Sequence, residues 1–511
     1  MKSIHTLTLL TIFALSAAFV RAETKQPNVL FIAADDLRPE LGCYGKSHII
    51  SPNIDRLAAR GVVFKRAYCQ YSVCNPSRSS LMTGLRPDST GVMDNRTYFR
   101  KKAPDIVALP QQFKQHGYVT QAFGKIYHGA FETAYVGRSC DDEPSWSKPH
   151  WYGSPQYYFS PQGIEIARQQ YATKYKKPAA DPDDWKQEFV QGLATEAPDV
   201  PDSMLYDGEM TDLAIKALRE LKGKPFFLAV GYLKPHLPFV APKKYWDLYD
   251  RAKIELPRPP TPPKDAPAVA LHENGELRGQ YTNMKERNLS DAQARELRHG
   301  YYACVSFVDA QIGRLLAELD RLGLRKNTIV ILWGDHGWHL GEQTLWGKST
   351  NFELDACAPL IVSAPGRKAT GMKCNALVEF VDIFPSLCEL AGLPIPSHVE
   401  GTSFAPLLDA PDKPWKTAAF SQIRRGPVLG RSMRTDRYRF TRWQKQNETV
   451  AIELYDYRND PVELENIAAR PENAALVKEL SAKLDAGWRG SNVERCPTPT
   501  LPASSRTRTK D

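Results

Sequence analysis

The sequence predicts an α/β fold, a large mixed and mostly parallel sheet between helices, followed by a smaller C-terminal antiparallel sheet. Three observations carry this. Short, continuous apolar runs recur from Val29 to Trp333, amphipathic stretches separate them, and after about Pro394 the texture changes to short alternating segments. The runs are Val29–Ala34, Tyr118–Phe123, Phe226–Val230 and Thr328–Trp333. Runs of this kind suit strands buried on both faces, as in a parallel sheet covered by helices. Each delivers polar residues at its carboxyl end: Asp35-Asp36 after the first, Lys125 and His128 after the second, Lys234 and His236 after the third, Asp335-His336 after the fourth. Ligands of open α/β sheets bind beyond the carboxyl ends of strands. One rim is therefore expected to gather carboxylates, lysines and histidines.

The clearest helix starts after Ser290, a good N-cap, and runs to about Leu322. Its apolar positions Leu297, Tyr301, Val305, Val308, Ile312, Leu315 and Leu319 step by three and four, and Gly323 stands where a left-handed C-terminal residue belongs. Met204–Leu221 is a second helical candidate. Pro257–Pro267 is too proline-rich for a helix or a central strand and reads as a surface excursion. Beyond Pro394, Ala418–Ser421, Tyr438–Thr441 and Ile452–Tyr455 read as strands of a small antiparallel sheet closed by a helix over about Glu472–Trp488. The resulting division is a main domain over 23–395, a subdomain over 396–490 and a polar, disordered tail over 491–511.

The first 22 residues stand apart. Lys2, the apolar stretch Leu7–Val20 and the small residues Val20 and Ala22 spell a secretory leader cut after Ala22. Export to the exterior or periplasm is expected, or to lysosomes in a host that has them, with no membrane span in the mature chain. The net charge of +9 is spread without a basic block, which disfavours a nucleic-acid groove and suits an anionic small ligand or glycan. Nine cysteines show no CxxC pair and no regular framework, so buried thiols or an isolated bridge are expected.

The segment Cys74-Asn75-Pro76-Ser77-Arg78 carries the most specific signal. Pro76 fits a first helical turn, which sets Cys74 at a helix N-terminus, where free N–H groups favour an anion. Arg78 adds a forked cation. The plain alternative is a buried cysteine beside a helix start. Asp35, Asp36 and Asp335 offer carboxylate oxygens of the kind a hard cation prefers, with His336 beside them; turns and caps also use such pairs.

The Cys74–Arg78 segment resembles the C-x-P-x-R signature of the sulfatase family, and Gly117–His128 (GYVTQAFGKIYH) matches a second signature of that family in full. The resemblance extends from Asn28 to about Trp488. Asp35–Gly45, Phe227–Phe239, Asp335–Gly341 and Lys348–Phe352 are similar to the branch that acts on uronate 2-sulfates. The resemblance implies an alkaline-phosphatase-like fold and a sulfuric ester hydrolase. It also implies that a maturation enzyme oxidises Cys74 to formylglycine. Asn75 departs from the small residue usual at that position.

By the same resemblance, Asp35, Asp36, Asp335, His336 and the modified Cys74 hold Ca²⁺, with Mg²⁺ as the alternative. Lys125, His128, His236 and Lys348 surround the sulfate, and Arg78 braces the modified residue. The family's mechanism passes through a hydrated formylglycine and a sulfo-enzyme intermediate, with His236 the candidate general acid and His128 the base that releases sulfate. Trp338, Trp346 and Tyr98-Phe99-Arg100 are candidate sugar contacts, and Gln343 and Ser349 depart from the uronate branch near the expected pocket. Each of these aromatics also has a packing role as its alternative. The expected substrate is a sulfated oligo- or polysaccharide. Two rivals remain: a formylglycine-dependent phosphonate or phosphate ester hydrolase of the same architecture, and a non-catalytic glycan-binding protein.

Overall fold

The computed structural model describes residues 26–128, 142–153, 156–180 and 192–491. The expected leader and the tail from Pro497 lie outside them. Seven strands build the main sheet: β1 (Asn28–Ala34), β2 (Val62–Tyr68), β3 (Val119–Gly124), β4 (Phe226–Tyr232), β5 (Thr328–Gly334), β6 (Leu360–Ser363) and β7 (Met372–Glu379), in the spatial order β7-β2-β6-β5-β1-β4-β3. Only β6 runs against its neighbours β5 and β2; every other pairing is parallel. The four strands expected from apolar runs are the adjacent β5, β1, β4 and β3, with Asn28 opposite Thr328 and Val29 opposite Phe227.

These strands are apolar throughout because both faces are covered. Leu30, Ile32, Leu228, Val230 and Leu332 pack on one side with the helices Tyr206–Glu220 and Asp291–Arg321. Val29, Phe31, Phe227, Ile331 and Trp333 pack on the other with the helices Cys74–Thr83 and Ile383–Ala391. The long helix begins as expected: the Ser290 hydroxyl accepts from the Gln293 N–H, and Gln293 returns a bond to the Ser290 backbone. Gly323 closes it at φ +71°.

The C-terminal sheet is an antiparallel meander, β8 (Ala418–Arg425), β9 (Val428–Thr435), β10 (Tyr438–Lys445) and β11 (Glu448–Asp456). The helix Ala474–Ala486 covers Met433, Phe440 and Leu454 through Leu480 and Leu484. The sheet docks on the main body at Glu353. Arg439 reaches Glu353 and Glu463, and Arg434 reaches Glu353 at 3.4 Å. Among the described residues, Cys43, Cys69, Cys74, Cys304, Cys357, Cys374 and Cys388 are free thiols, and no helix is long and apolar enough to cross a membrane.

Candidate active site

The rim at the carboxyl ends of β1, β3, β4 and β5 gathers the expected residues. Asp36 takes the left-handed conformation at φ +59°, one that Asp tolerates better than most residues. This bend lets two successive carboxylates address one centre. Asp35 takes Arg78 on one oxygen (3.0 Å) and Lys125 on the other (2.6 Å). Asp36 takes Lys348 at 2.9 and 3.1 Å. Asp335 is held by the Asp36 and His336 backbone N–H groups on Oδ1 and by Arg78 Nε on Oδ2.

Cys74 is the first residue of the ten-residue helix Cys74–Thr83. Its Sγ lies 3.2 Å from His336 Nε2 and 4.0 Å from Asp36 Oδ1. His336 Nδ1 is paired with the Gly337 carbonyl at 2.9 Å. That bond places the Nδ1 proton and leaves the Nε2 lone pair facing Cys74, the arrangement a metal-ligating imidazole uses. Burial pushes the Cys74 thiol well up, against Lys125 and Lys348, so an unmodified Cys74 is a neutral thiol and a poor nucleophile.

Arg78 is fully buried, and its donors are engaged: Nε and Nη2 on Asp335 and Asp35, Nη1 on the carbonyls of Lys125 and Ile126 at 2.6 and 3.0 Å. It therefore positions the two carboxylates and the β3 loop. The forked cation makes these four bonds with the protein. Burial opposes the Asp35 charge, yet Lys125 and Arg78 hold its carboxyl well below the usual range. Burial pushes Asp36 up, opposed by Lys348 and His236.

His236 is the half-buried group at the mouth. Its Nδ1 pairs with the Leu237 carbonyl at 2.6 Å, and its Nε2 lies 3.1 Å from Glu276 and 3.7 Å from Asp36. Burial disfavours its protonation, but Asp36 and the Glu276 hydrogen bond outweigh that and raise its pKa. The loop that carries it is fixed by Asp207, which accepts from the Leu233 and Lys234 N–H groups, and by Lys234 Nζ, which donates to the carbonyls of His236 and Pro238. His128 lies half-buried three residues beyond Lys125, at the border of the described segment.

Glu276 was not visible in the sequence. It sits on the short helix Gly275–Gln280 after the proline-rich excursion and approaches both His236 and Lys348, the latter at 3.3 Å. No motif flanks it. Arg425, at the β8–β9 turn, donates to the Ser349 carbonyl beside Lys348; its strand was expected, its reach was not.

The proposed sugar contacts need correcting. Trp338 and Trp346 are buried at 1% and 6% exposure, and Trp338 lies under the Lys348 ammonium, 4.9 Å from it. It orients Lys348 and offers no free stacking face. Arg100 spends its donors on Asp142, Gln111 and the carbonyls of Pro104 and Ile106, and Phe99 is buried. Gln343 is buried and bonded to His339 and to the carbonyls of Val462 and Glu463. It ties the main body to the C-terminal subdomain.

The donor set fits a hard divalent cation. Ligand atoms of Asp35, Cys74 and Asp335, and of Asp36, Cys74 and His336, cluster within 4.8 Å. Four carboxylates (Asp35, Asp36, Asp335, Glu276) face three fixed cations (Arg78, Lys125, Lys348). Even with a protonated His236 added, that set has no positive surplus to hold an anionic ester. A divalent cation supplies that surplus.

Comparison with known proteins agrees. The sulfatase family model matches residues 27–393, and a model for the C-terminal part of N-sulphoglucosamine sulphohydrolase matches residues 341–489. The chain is 35% identical to human iduronate 2-sulfatase, covering 86% of this chain and 90% of that one, and 33% identical to the mouse enzyme, covering 91% and 95%. The fold superposes on phosphonate monoester hydrolase from Silicibacter pomeroyi with a TM-score of 0.70 at 24% identity, covering 91% and 96% of the two chains. That likeness speaks to the alkaline-phosphatase-like architecture, and the site speaks to the chemistry. With a family match across the whole main sheet and relatives of this identity along nearly the full length, the chain belongs to the sulfatases, hydrolases of sulfate esters.

Proposed function

We propose that this sulfatase removes sulfate from the end of a sulfated glycan, with a uronate 2-O-sulfate as its substrate and Cys74, oxidised to formylglycine, as its nucleophilic position. The observation that carries the reading is the convergence of Cys74, Asp35, Asp36, Asp335 and His336 on one buried point, with Lys125 and Lys348 beside it. The uronate assignment rests on the iduronate 2-sulfatases at 33% and 35% identity.

Formylglycine supplies, once hydrated, two hydroxyls on one carbon, one to take the sulfuryl group and one to release it, which Ser or Cys cannot do. Asp35, Asp36, Asp335 and His336 would hold a Ca²⁺ ion, with Mg²⁺ as the alternative, which would supply positive charge beside the reacting oxygens. The chain's own residues do the rest. Lys125 and Lys348 are pre-placed cations in a water-poor site, where they offset charge growing on the sulfuryl oxygens. Lys348 is aimed by Asp36, Glu276 and the Trp338 ring. His236, whose protonated form Asp36 and Glu276 favour, gives its Nε2 proton to the departing sugar oxygen. His128 takes the proton whose loss expels sulfate. Arg78 keeps Asp35 and Asp335 in place throughout.

The test is sulfate release from unsaturated disaccharides sulfated at the uronate O2 or at the hexosamine O6. Release from the 2-sulfate supports the reading. Release from the 6-sulfate alone overturns the sugar assignment. An enzyme that turns over an aryl phosphonate monoester and neither sulfate overturns the substrate class.

A further inference from the structure

Outside the active site, a cavity of about 500 Å³ lies between the main body and the C-terminal sheet. It is walled by Arg86, Arg431, Arg442 and Arg489, with Gln444 and Trp488. Its volume falls in the range of small-ligand sites, about 300–1,000 Å³. On the sheet side, Arg431 and Arg442 are cross-strand partners on β9 and β10. Like charges directly opposite each other destabilise a sheet, so this pair is a local cost that a bound anion would relieve.

The second observation is unmet hydrogen bonding. Arg86 uses both terminal nitrogens on Glu379, at 2.7 Å each, and Arg442 uses both of its own on Asp485. In each the Nε–H is buried without an acceptor among the described residues, and the Arg86 side chain is only 8% exposed. Buried donors without partners are costly and rare in native proteins. The Trp488 ring is in contact with the guanidinium groups of Arg86 at 4.9 Å and Arg489 at 4.2 Å. The acids at the rim do not cancel the charge. Asp88 meets Arg431 in an exposed pair at 3.4 Å, worth little, which an anion can displace, while Arg442, 15% exposed, keeps Asp485.

We propose that this groove is a second binding site, taking an anionic sugar residue of a sulfated glycan chain whose end is held in the active site. Arg86 follows the C-terminal end of the Cys74–Thr83 helix, so the groove lies about one helix length, ~15 Å, from the nucleophile end. Only a chain longer than a disaccharide reaches both. The choice of ligand rests on the glycan reading above.

The test uses the full chain, with binding read on Cys74→Ala protein so that it does not depend on hydrolysis. The probe is a size-defined, sulfated heparin dodecasaccharide. The double variant R431Q/R489Q, at surface positions, is expected to weaken dodecasaccharide binding about tenfold or more. It is expected to flatten the salt dependence, and to leave disaccharide turnover unchanged on the Cys74 background. Dodecasaccharide affinity that stays at the parent value in the folded double variant would overturn the proposal, as would an equal loss of disaccharide turnover. Were the uronate 2-sulfate reading wrong and the groove real, the chain-binding difference would persist with no sulfate released from the 2-O-sulfated disaccharide.

Discussion

Replacing Arg78 with Lys keeps the charge and removes the fork, and its cost follows from four hydrogen bonds. Arg78 bonds Asp335 and Asp35 at 2.9 and 3.0 Å and the carbonyls of Lys125 and Ile126 at 2.6 and 3.0 Å, with no exposed surface. A lysine ammonium gathers its three N–H groups on one nitrogen, which cannot stand at the Nε, Nη1 and Nη2 positions at once, so it reaches about two of the four acceptors. At least two charge-assisted bonds are lost, at about 1.5–3 kcal/mol each, hence about 3–6 kcal/mol. Breaking a buried ion pair typically costs about 3–5 kcal/mol, so the two routes agree. At about 2.1 cal/mol/K per residue, Arg78→Lys should lower the thermal midpoint of a chain this long by about 3–6 °C. It should also reduce kcat/KM, because Asp35 and Asp335 lose their common anchor. The assay is a thermal melt followed by tryptophan fluorescence at matched divalent-ion concentration. Lys253→Gln, with a side chain 84% exposed, serves as the control and should stay within about 0.5 kcal/mol of wild type. If Arg78→Lys melted with wild type and kept its activity, the bracing role would be wrong.

Asp36→Asn should cut the divalent-ion content of purified protein, measured by mass spectrometry of the metal, and lower the rate with the fold kept; full metal occupancy would count against the assigned ligand set. Glu276→Gln should lower the His236 pKa, because Glu276 favours the protonated ring. An acid must be protonated to work, so activity is present below that pKa and lost as pH rises through it. The alkaline limb of the kcat/KM profile should therefore move to lower pH, and an unmoved limb would remove His236 as the acid. His236→Ala should slow sugar sulfates by about 10²- to 10⁴-fold and activated aryl sulfates far less, and equal losses would make His236 a sulfate binder. Gly231→Ala should misfold or lose most activity, since an added Cβ would meet the Lys125 carbonyl oxygen at 2.0 Å.

The legible part of the fold was the part buried on both faces. β1, β3, β4 and β5 announce themselves as apolar runs because helices cover each side. β2 was not seen, since Lys65 and Arg66 interrupt it where the sheet meets bonds to the Tyr44 and Asn375 carbonyls. The four-residue β6 and the edge strand β7 have too little pattern to stand out, and β9 carries Arg431 and Arg434 within a strand open along part of one face. In the site, Asp35, Asp36, Cys74, Arg78, Lys125, His236, Asp335, His336 and Lys348 were legible because each sits in a dense local motif at a strand end or helix start. Glu276 and Arg425 were not. They arrive from segments hundreds of residues distant from Cys74, and only packing brings them to the rim. Trp338 shows the converse: its place in the motif was plain, but burial beneath Lys348 decides what it does.

The most direct measurement is the mass of the peptide spanning Cys74 in protein produced with its maturation machinery, taken beside sulfate release by the same preparation. The account predicts formylglycine at position 74 and turnover in proportion to its fraction, with Cys74→Ser failing to turn over repeatedly. Full multiple-turnover activity from protein holding only unmodified Cys74 would contradict it.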